Sequence, residues 1–386
     1  MRCCFMNSKE RIEKTFQGES TDLIPVHHLG FCSQVASALL GREAYVGGGI
    51  QQWREVRALW NGPDAHQEFI ERSFQDALDI ALYSKQDIIR ILYWRYPKRP
   101  TKKIDELTYL FGDLEEQYSV LQFDPQSEEC VISDYGKAKL DTLSELEKKV
   151  EEIEERAYNY TPDRQAFDLE IRCQQLMGST HVVRVDGASI SIPLEPTIWL
   201  EATLLRPDLV GRFLDAEVLR AQRNILFLST YGFHIFFGGG DFASNQGPMY
   251  SKRVFRQLLL PRLKTIVDYC HTLNGRYLFA SDGNLWAVAD ELFGESGIDG
   301  YYEIDRHAGM DLEKIRDRFP YLTLIGNISS QTVHLGSKTD IRIEVLSCIE
   351  TAKQKQGIIV GSSNYFVPGT PIDHVKEVIE TIEKYR

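Results

Sequence analysis

The chain has 386 residues, of which 43% are hydrophobic and 26% are charged, and its formal net charge is −12. Because nucleic-acid binding needs clustered Lys and Arg, this acidic balance argues against a nucleic-acid partner. No apolar run approaches the roughly 20 residues of a membrane span, and the N-terminus becomes charged too early for a signal peptide. Seven cysteines without a C-x-x-C spacing indicate reduced thiols in a cytoplasmic protein.

In chain order, short apolar runs alternate with segments of amphipathic-helix spacing. The predicted strands are 23–30, 88–94, 181–187, a fourth that starts at 234, a fifth that ends before 281, 300–305, 322–328 and 357–364. The predicted helices are 8–16, 32–41, 64–84, 141–157, 162–177, 197–204, 207–231, 251–274, 287–296, 310–319, 339–355 and 371–385. Pro261 should kink or break the helix that contains it.

Eight strand–helix units predict parallel pairing with right-handed crossovers, which favours a single α/β domain over 1–386. The count suggests a closed (β/α)8 TIM barrel. The region 100–135 differs, because it contains short strands, predicted to be exposed, that are joined by polar turns. We therefore expect a β insertion at about 98–160, with extra helices, between strands 2 and 3.

Two acidic residues follow predicted strands and a third lies inside one, near the strand ends where a barrel of this type places its active site. Asp241 follows three glycines, Asp282 stands in Ser-Asp-Gly-Asn, and Glu303 is flanked by apolar and aromatic residues. Asp241 and Asp282 would also suit tight turns. A carboxylate inside an apolar strand must be paired, protonated or bound to a metal. We predict these three as catalytic residues and as candidate metal ligands.

Further polar and aromatic residues stand near the ends of the predicted strands. One of two adjacent histidines should point into the barrel and the other toward the helices, since side chains alternate along a strand. The predicted substrate-binding residues are His27, His28, Trp94, Asn245, Asn284, Tyr302, Asn327 and Asn364.

The C-terminal half carries motifs that resemble those of the superfamily of uroporphyrinogen decarboxylase and the corrinoid-dependent methyltransferases. They are GGGDFASNQGPMYSKRVFRQLLLPRLKTIVD, FASDGN, AGMDLEKIRDRFP, LIGNI and PGTPIDHVKEVIETIEKY. True uroporphyrinogen decarboxylases carry an arginine-rich segment after the first strand, whereas this chain has no arginine there before Arg42. The family's histidine after the last strand is replaced by Ser362-Ser363-Asn364. Decarboxylation of uroporphyrinogen is therefore not expected.

Superfamily members that methylate thiols bind zinc with a His-x-Cys motif and a distant cysteine. The matching positions here, 281–283 and 362–364, offer neither a thiol nor an imidazole. The resemblance then implies the substrate-side methyltransferases, which move a methyl group from a small compound, for instance a methoxylated aromatic, to a corrinoid protein. It implies a corrinoid carried by that partner, a divalent metal such as zinc, and a homodimer.

Two alternatives stay open. One is a decarboxylase or another lyase acting on a small acid, which needs a cation at the barrel mouth. Arg95 is the obvious cation near a predicted strand end. The other is a protein without catalytic activity that binds a small molecule on the same barrel.

Overall fold

The structure is a computed structural model that describes residues 6–91, 94–135 and 140–386. Leu92 and Tyr93, in the second predicted strand, lie outside the described residues, as do Cys3 and Cys4. The five described cysteines are free, which agrees with the prediction of reduced thiols. None of the helices in the described part of the chain combines the length and the apolarity that crossing a bilayer requires.

Helices make up most of the regular structure. The α-helices are α1 (Ser8–Phe16), α2 (Ser33–Leu40), α3 (Gly49–Asn61), α4 (Pro63–Tyr83), α5 (Leu143–Asn159), α6 (Asp168–Met177), α7 (Ile198–Leu205), α8 (Pro207–Ser229), α9 (Lys252–Val254), α10 (Leu260–Thr272), α11 (Leu312–Arg318), α12 (Ser330–Leu335), α13 (Lys338–Lys355) and α14 (Ile372–Tyr385). Short 3-10 or π segments are Arg164–Phe167, Phe255–Leu259, Trp286–Val288 and Asp290–Glu295. Helices α3 and α12 lie in regions for which the sequence predicted none, since α3 begins in a glycine run and α12 is very short.

The strands are short. They are β1 (Gly30–Phe31), β2 (Ile88–Ile89), β3 (Lys102–Lys103), β4 (Thr108–Gly112), β5 (Tyr118–Asp124), β6 (Glu129–Tyr135), β7 (Val182–Val183), β8 (Ile235–Gly239), β9 (Ala243–Ser244), β10 (Gly247–Pro248), β11 (Arg276–Ala280), β12 (Gly300–Tyr302), β13 (Thr323–Ile325), β14 (Ile358–Ile359) and β15 (Tyr365–Phe366). The predicted helix over 251–274 is interrupted by the π segment just before Pro261. A π-bulge there fits the carbonyl that a proline leaves without its helical partner.

The core is a parallel sheet in the order β14-β13-β12-β11-β8, and β2 pairs with β7 in the same sense. An isolated parallel bridge between Val185 and Phe236 links the two pieces. A second bridge joins Val26 to Val360, and the Asp87 N–H donates to the Val26 carbonyl at 2.8 Å. The parallel strands and intervening helices confirm a mixed α/β protein.

The regular ladders of the described residues do not close into a continuous barrel, so the closed (β/α)8 barrel stays a prediction. The predicted strand 23–30 is reduced to one bridge at Val26 followed by β1, partly because Pro25 has no N–H to donate. Single bridges and hydrogen bonds connect the parallel segments where regular pairing is lost.

A set of buried side chains, here called the interior cluster, contains residues from β2, β7, β8 and β11 to β14, together with Ile12 of α1 and Leu29. Its members are Ile12, Leu29, Ile88, Val182, Ile235, Phe237, Leu278, Ala280, Tyr302, Ile325 and Ile359. The neighbouring positions, such as Val26, Phe236 and Tyr301, belong to a larger cluster that the helices cover. Side chains therefore alternate between the interior of the sheet and the helix layer, which decides which polar groups can meet at the strand ends.

Between β2 and β7, strands β3 to β6 form a four-stranded antiparallel sheet. It is not simply exposed, as the sequence suggested, because Tyr109, Phe111 and Leu121 are buried against Val56 of α3. Alternating burial along β5 shows that only one face of this sheet meets solvent. The bounds of the insertion and the assignment of one domain to 1–386 stay predictions.

Candidate active site

The structure brings the three predicted acidic residues together at the carboxyl ends of β8, β11 and β12. The parallel register places Ala280 beside both Gly239 and Tyr302, so the residues that follow these strands become neighbours. One carboxylate oxygen from each of Asp241, Asp282 and Glu303 lies within 4.8 Å of the others. We call these three residues the acidic cluster.

Backbone conformation at two positions makes this approach feasible. A Cβ at Gly239 would lie 2.3 Å from the carbonyl oxygen of Ala280, so only glycine allows β8 to come this close to β11. Glu303 has a φ of 70°, which a non-glycine residue adopts only at a cost. This left-handed residue ends β12 and interrupts the alternation of side chains after Tyr302. Such strain is typical of functional sites.

Hydrogen bonds fix the orientation of Asp282. Its backbone N–H donates to Asp241 Oδ1 at 3.0 Å, and Asn364 Nδ2 donates to Asp282 Oδ2 at 2.7 Å. Asn364 is itself held, because its Oδ1 accepts the N–H of Tyr365 at 2.7 Å. The amide that the sequence assigned to substrate binding therefore contacts the acidic cluster directly.

Two members of the acidic cluster have pKa values well above the ordinary carboxyl range. Burial, reinforced by the charge of Asp282, raises the pKa of Glu303 to about 8. Burial, together with the charges of Asp241 and Asp305, raises the pKa of Asp282 to about 7. Because like charges at this distance disfavour joint ionisation, the cluster either retains protons or binds a cation. Carboxyl groups with pKa values near the working pH are suited to general acid–base catalysis.

Two arginines face the same end of the sheet, and the sequence analysis did not assign them to the mouth. The Arg184 guanidinium lies over the rings of Phe237 and Tyr302, at 4.7 and 4.9 Å, both in the interior cluster. Arg184 Nε donates to Asp186 at 3.1 Å, and Arg90 lies 3.7 Å from the same carboxylate. The alternation of side chains could have predicted this placement. Each arginine stands two positions after an inward-facing residue, so its side chain should point the same way.

The obvious cation of the prediction lies elsewhere. Arg95 Nε donates to the buried carboxylate of Glu55 at 3.0 Å, and its Nη2 contacts the same oxygen. This pair ties the chain after β2 to α3 and leaves the cationic role at the mouth to Arg90 and Arg184. The sequence prediction considered only residues near the strand ends, so it did not include Glu55, which lies on a helix.

The two histidines point to opposite sides, as alternation requires. His27 lies inside, with its ring 6.1 Å from that of Phe237, and its Nδ1 contacts the Ile88 carbonyl at 3.1 Å. His28 faces the helix layer against Phe31 and Phe366, and its Nδ1 accepts the N–H of Ser362 at 3.2 Å. Burial lowers the pKa of His27 well below its ordinary value and that of His28 to about 3. Both imidazoles are therefore neutral at physiological pH.

Two other predicted substrate-binding residues make structural hydrogen bonds, and a third is exposed. The Tyr302 hydroxyl donates to the Gly238 carbonyl at 2.8 Å, and Asn284 Oδ1 accepts the Trp286 N–H at 3.1 Å. Asn245 is exposed at the tip of the β9–β10 hairpin. Contacts of these residues with a substrate stay predictions.

Trp94 and Asn327 stand apart from the acidic cluster. The half-exposed indole of Trp94 lies against Gly48, where a Cβ would come within 2.6 Å of the ring. Asn327 is buried and lines a separate pocket with Ser347 and Cys348 of α13. Gly326, with a φ of 68°, reverses the alternation after inward-facing Ile325, which turns Asn327 toward the helix layer.

The donor set of the acidic cluster suits some metals better than others. Three carboxylates offer only oxygen, which hard cations such as Mg²⁺, Mn²⁺ or Ca²⁺ prefer. A structural or thiolate-type zinc site needs sulfur or imidazole ligands, which this cluster does not supply. Zinc, the example given by the resemblance, is therefore a weaker fit than a harder cation.

The sequence of this region matches a known family. Residues 241–385 match the model of the uroporphyrinogen decarboxylase (URO-D) family, and this range includes the whole acidic cluster and Asn364. The predicted resemblance to the URO-D superfamily is confirmed. The match begins at Asp241 and so leaves out His27, Arg90 and Arg184. No curated protein matches the sequence of the chain.

One solved structure shares the fold of this chain over nearly its whole length. A methyltransferase from Methanosarcina mazei covers 98% of this chain and 99% of its own, with a TM-score of 0.62 and 16% sequence identity. D-psicose 3-epimerase from Clostridium cellulolyticum H10 covers 64% of this chain and 93% of its own, at 12% identity and a TM-score of 0.33. The first shows that the fold extends over nearly the whole chain, and the second is too distant to add to the argument.

Proposed function

We propose that the chain is a methyltransferase of the URO-D superfamily that removes a methyl group from a small oxygen-linked substrate, for instance a methoxylated aromatic. The observation that carries this proposal is the partly buried carboxyl of Glu303, whose pKa of about 8 keeps it protonated at neutral pH beside Asp282. Similarity to a methyltransferase over nearly the full length of both chains supports the choice of reaction.

The residues of the acidic cluster suit the departure of an oxygen leaving group. As the bond between the methyl carbon and the oxygen breaks, the oxygen gains negative charge and needs a proton. Glu303 is placed to give that proton, which leaves an alcohol or a phenol and a carboxylate. Asn364 holds Asp282 in place, and burial together with the charge of Asp282 keeps the pKa of Glu303 high. A reduced corrinoid, carried by a partner protein, supplies the nucleophile that accepts the methyl group.

A hard divalent cation is the alternative to the proton within the same cluster. Asp241, Asp282 and Glu303 would hold it, and its charge would stabilise the leaving oxygen in place of a proton. Binding such a cation would displace the protons of Asp282 and Glu303, so metal affinity would increase with pH. This dependence separates the two versions of the proposal.

Arg90 and Arg184 suggest that the substrate also carries a carboxylate. Their guanidinium groups both contact the carboxylate of Asp186, the kind of group that a substrate acid would present to them. A methoxylated aromatic acid would offer its methoxy group to the acidic cluster and its carboxylate to the two arginines. The same arginines favour a second candidate, a lyase that decarboxylates a small acid, because such an enzyme must bind the carboxylate that it removes.

We expect methyl transfer from at least one methoxylated aromatic acid to free cob(I)alamin, followed by the change in the absorbance of the corrinoid. Each methoxylated acid is assayed beside its uncharged analogue, and the Arg184→Gln variant should lose the preference for the acid. Release of carbon dioxide without corrinoid methylation would favour the lyase. Failure of every oxygen-linked donor in the panel to methylate the corrinoid would contradict the methyltransferase proposal.

A further inference from the structure

A second polar pocket lies in the helix layer, on the other side of the strand ends from the acidic cluster. Asn327 forms its floor, Ser347 and Thr351 of α13 line one side, and Arg306, Asp311 and Glu313 line the other. Among the described residues, no member of the acidic cluster lines this pocket. Ile304, whose N–H donates to the Gly326 carbonyl at 3.1 Å, is part of the wall between the two sites.

Asn327 is the feature that marks this pocket as a binding site. Its side chain is 3% exposed, yet neither Oδ1 nor Nδ2 has a hydrogen-bond partner within the described part of the chain. A buried amide without partners costs free energy, so such groups are normally satisfied by protein, water or a ligand. The backbone of Asn327 is fully used, since its N–H donates to Gly361 and its carbonyl accepts the Cys348 thiol. These hydrogen bonds fix the backbone of Asn327 beside the pocket that its carboxamide lines.

Of the described residues, Arg306 is the one cationic side chain that lines the pocket, and the two carboxylates beside it contact other groups. Asp311 Oδ1 accepts the N–H of Lys314 at the start of α11, and Glu313 forms an ion pair of 3.3 Å with Lys355. The guanidinium of Arg306 forms no ion pair and no side-chain hydrogen bond with the residues that the structure describes. Arg306 and Asn327 Nδ2, with the hydroxyl of Ser347, would give an anionic oxygen three donors.

The size of the pocket limits the anion. Its cavity volume is about 60 Å³. At roughly 10–15 Å³ for each water, this is room for about four to six non-hydrogen atoms. A short monocarboxylate such as acetate, or inorganic phosphate, has this size and offers the oxygen acceptors that the donors require. A nucleotide or an aromatic acid is too large.

We propose that the pocket of Asn327 and Arg306 binds a small oxyanion, distinct from the substrate of the acidic cluster. The carboxamide holds one oxygen at the floor of the pocket, and the guanidinium pairs with the anion at the opening. This inference does not depend on methyl transfer. Because the residues after Glu303 form one wall of the pocket, bound anion would also restrict the segment that carries Glu303.

Isothermal titration of the full chain with acetate and with phosphate, each at constant ionic strength, tests the proposal. We expect saturable binding of at least one anion with a Kd of about 1 mM or lower. Arg306→Gln should weaken binding by about tenfold or more, since it removes a charge-assisted hydrogen bond. Arg253→Gln, at another exposed arginine, is the matched control and should bind as the unmodified chain does.

Asn327→Leu should abolish binding, and circular dichroism shows whether this variant is folded. Binding of acetate alone indicates a carboxylate ligand, and binding of phosphate alone indicates a phosphate. Absence of saturable binding of both anions would overturn the proposal. An Arg306→Gln variant with unchanged affinity would also overturn it, whether or not Asn327→Leu folds, because binding would then lie elsewhere.

Discussion

Replacing Glu303 by Gln should lower kcat for methyl transfer by at least about a hundredfold, the range in which a positioned general acid contributes. Glutamine keeps the size and the hydrogen-bonding atoms of the side chain but has no proton to give. The measurement is single-turnover methylation of cob(I)alamin by the donor that the panel identifies. In the unmodified chain, activity should fall as the pH rises through the Glu303 pKa of about 8, because the donor becomes ionised.

Glu383→Gln is the control for this experiment, since Glu383 is exposed on α14, far along the chain from the acidic cluster. It should leave kcat unchanged. Addition of a chelator distinguishes proton donation from metal binding, because only the metal-dependent form loses activity. A Glu303→Gln variant that retains the rate and pH profile of the unmodified chain would remove Glu303 from the mechanism.

Gly361→Ala should reduce the free energy of unfolding by about 3 kcal/mol or more, at the upper end for overpacked substitutions. A Cβ at this position would lie 1.8 Å from the carbonyl oxygen of His27 and 2.4 Å from its carbonyl carbon. These atoms belong to the backbone, so they cannot move aside as a flexible side chain would. The measurement is chemical denaturation monitored by circular dichroism.

The matched control is Gly294→Ala, in the π segment Asp290–Glu295, where the nearest atom to a new Cβ is the Tyr321 hydroxyl at 3.6 Å. We expect no loss of stability there. Equal stability of Gly361→Ala and the unmodified chain would show that the segment after β14 does not pack against the backbone at His27. The first and last parallel segments would then not be in contact.

The positions of the acidic cluster could be predicted because they depend on a simple rule. Parallel strands end on one side, so residues that follow them meet there whatever the details of pairing. Glu303 also carried its own signal, because an acid among apolar residues has few structural explanations. The sequence could not show that Glu303 has a positive φ, since nothing in the residue type requires it.

The placement of the remaining site residues depends on the alternation of side chains along a strand. A single glycine can reverse that alternation. Gly326 turns Asn327 from the strand ends to the helix layer, although the residue type and position suited substrate binding. Arg184 was placed within a strand by its sequence position, yet its strand is only two residues long and its side chain lies at the mouth. The sequence predicted that each strand exists but not how far it extends.

Infrared difference spectroscopy of the unmodified chain against Glu303→Gln measures directly whether Glu303 is protonated at neutral pH. We expect the carbonyl stretch of a protonated carboxyl at neutral pH, and it should disappear as the pH rises, with a midpoint near the pKa of about 8. In the absence of added metal, a difference spectrum with only a carboxylate at neutral pH and below would contradict it.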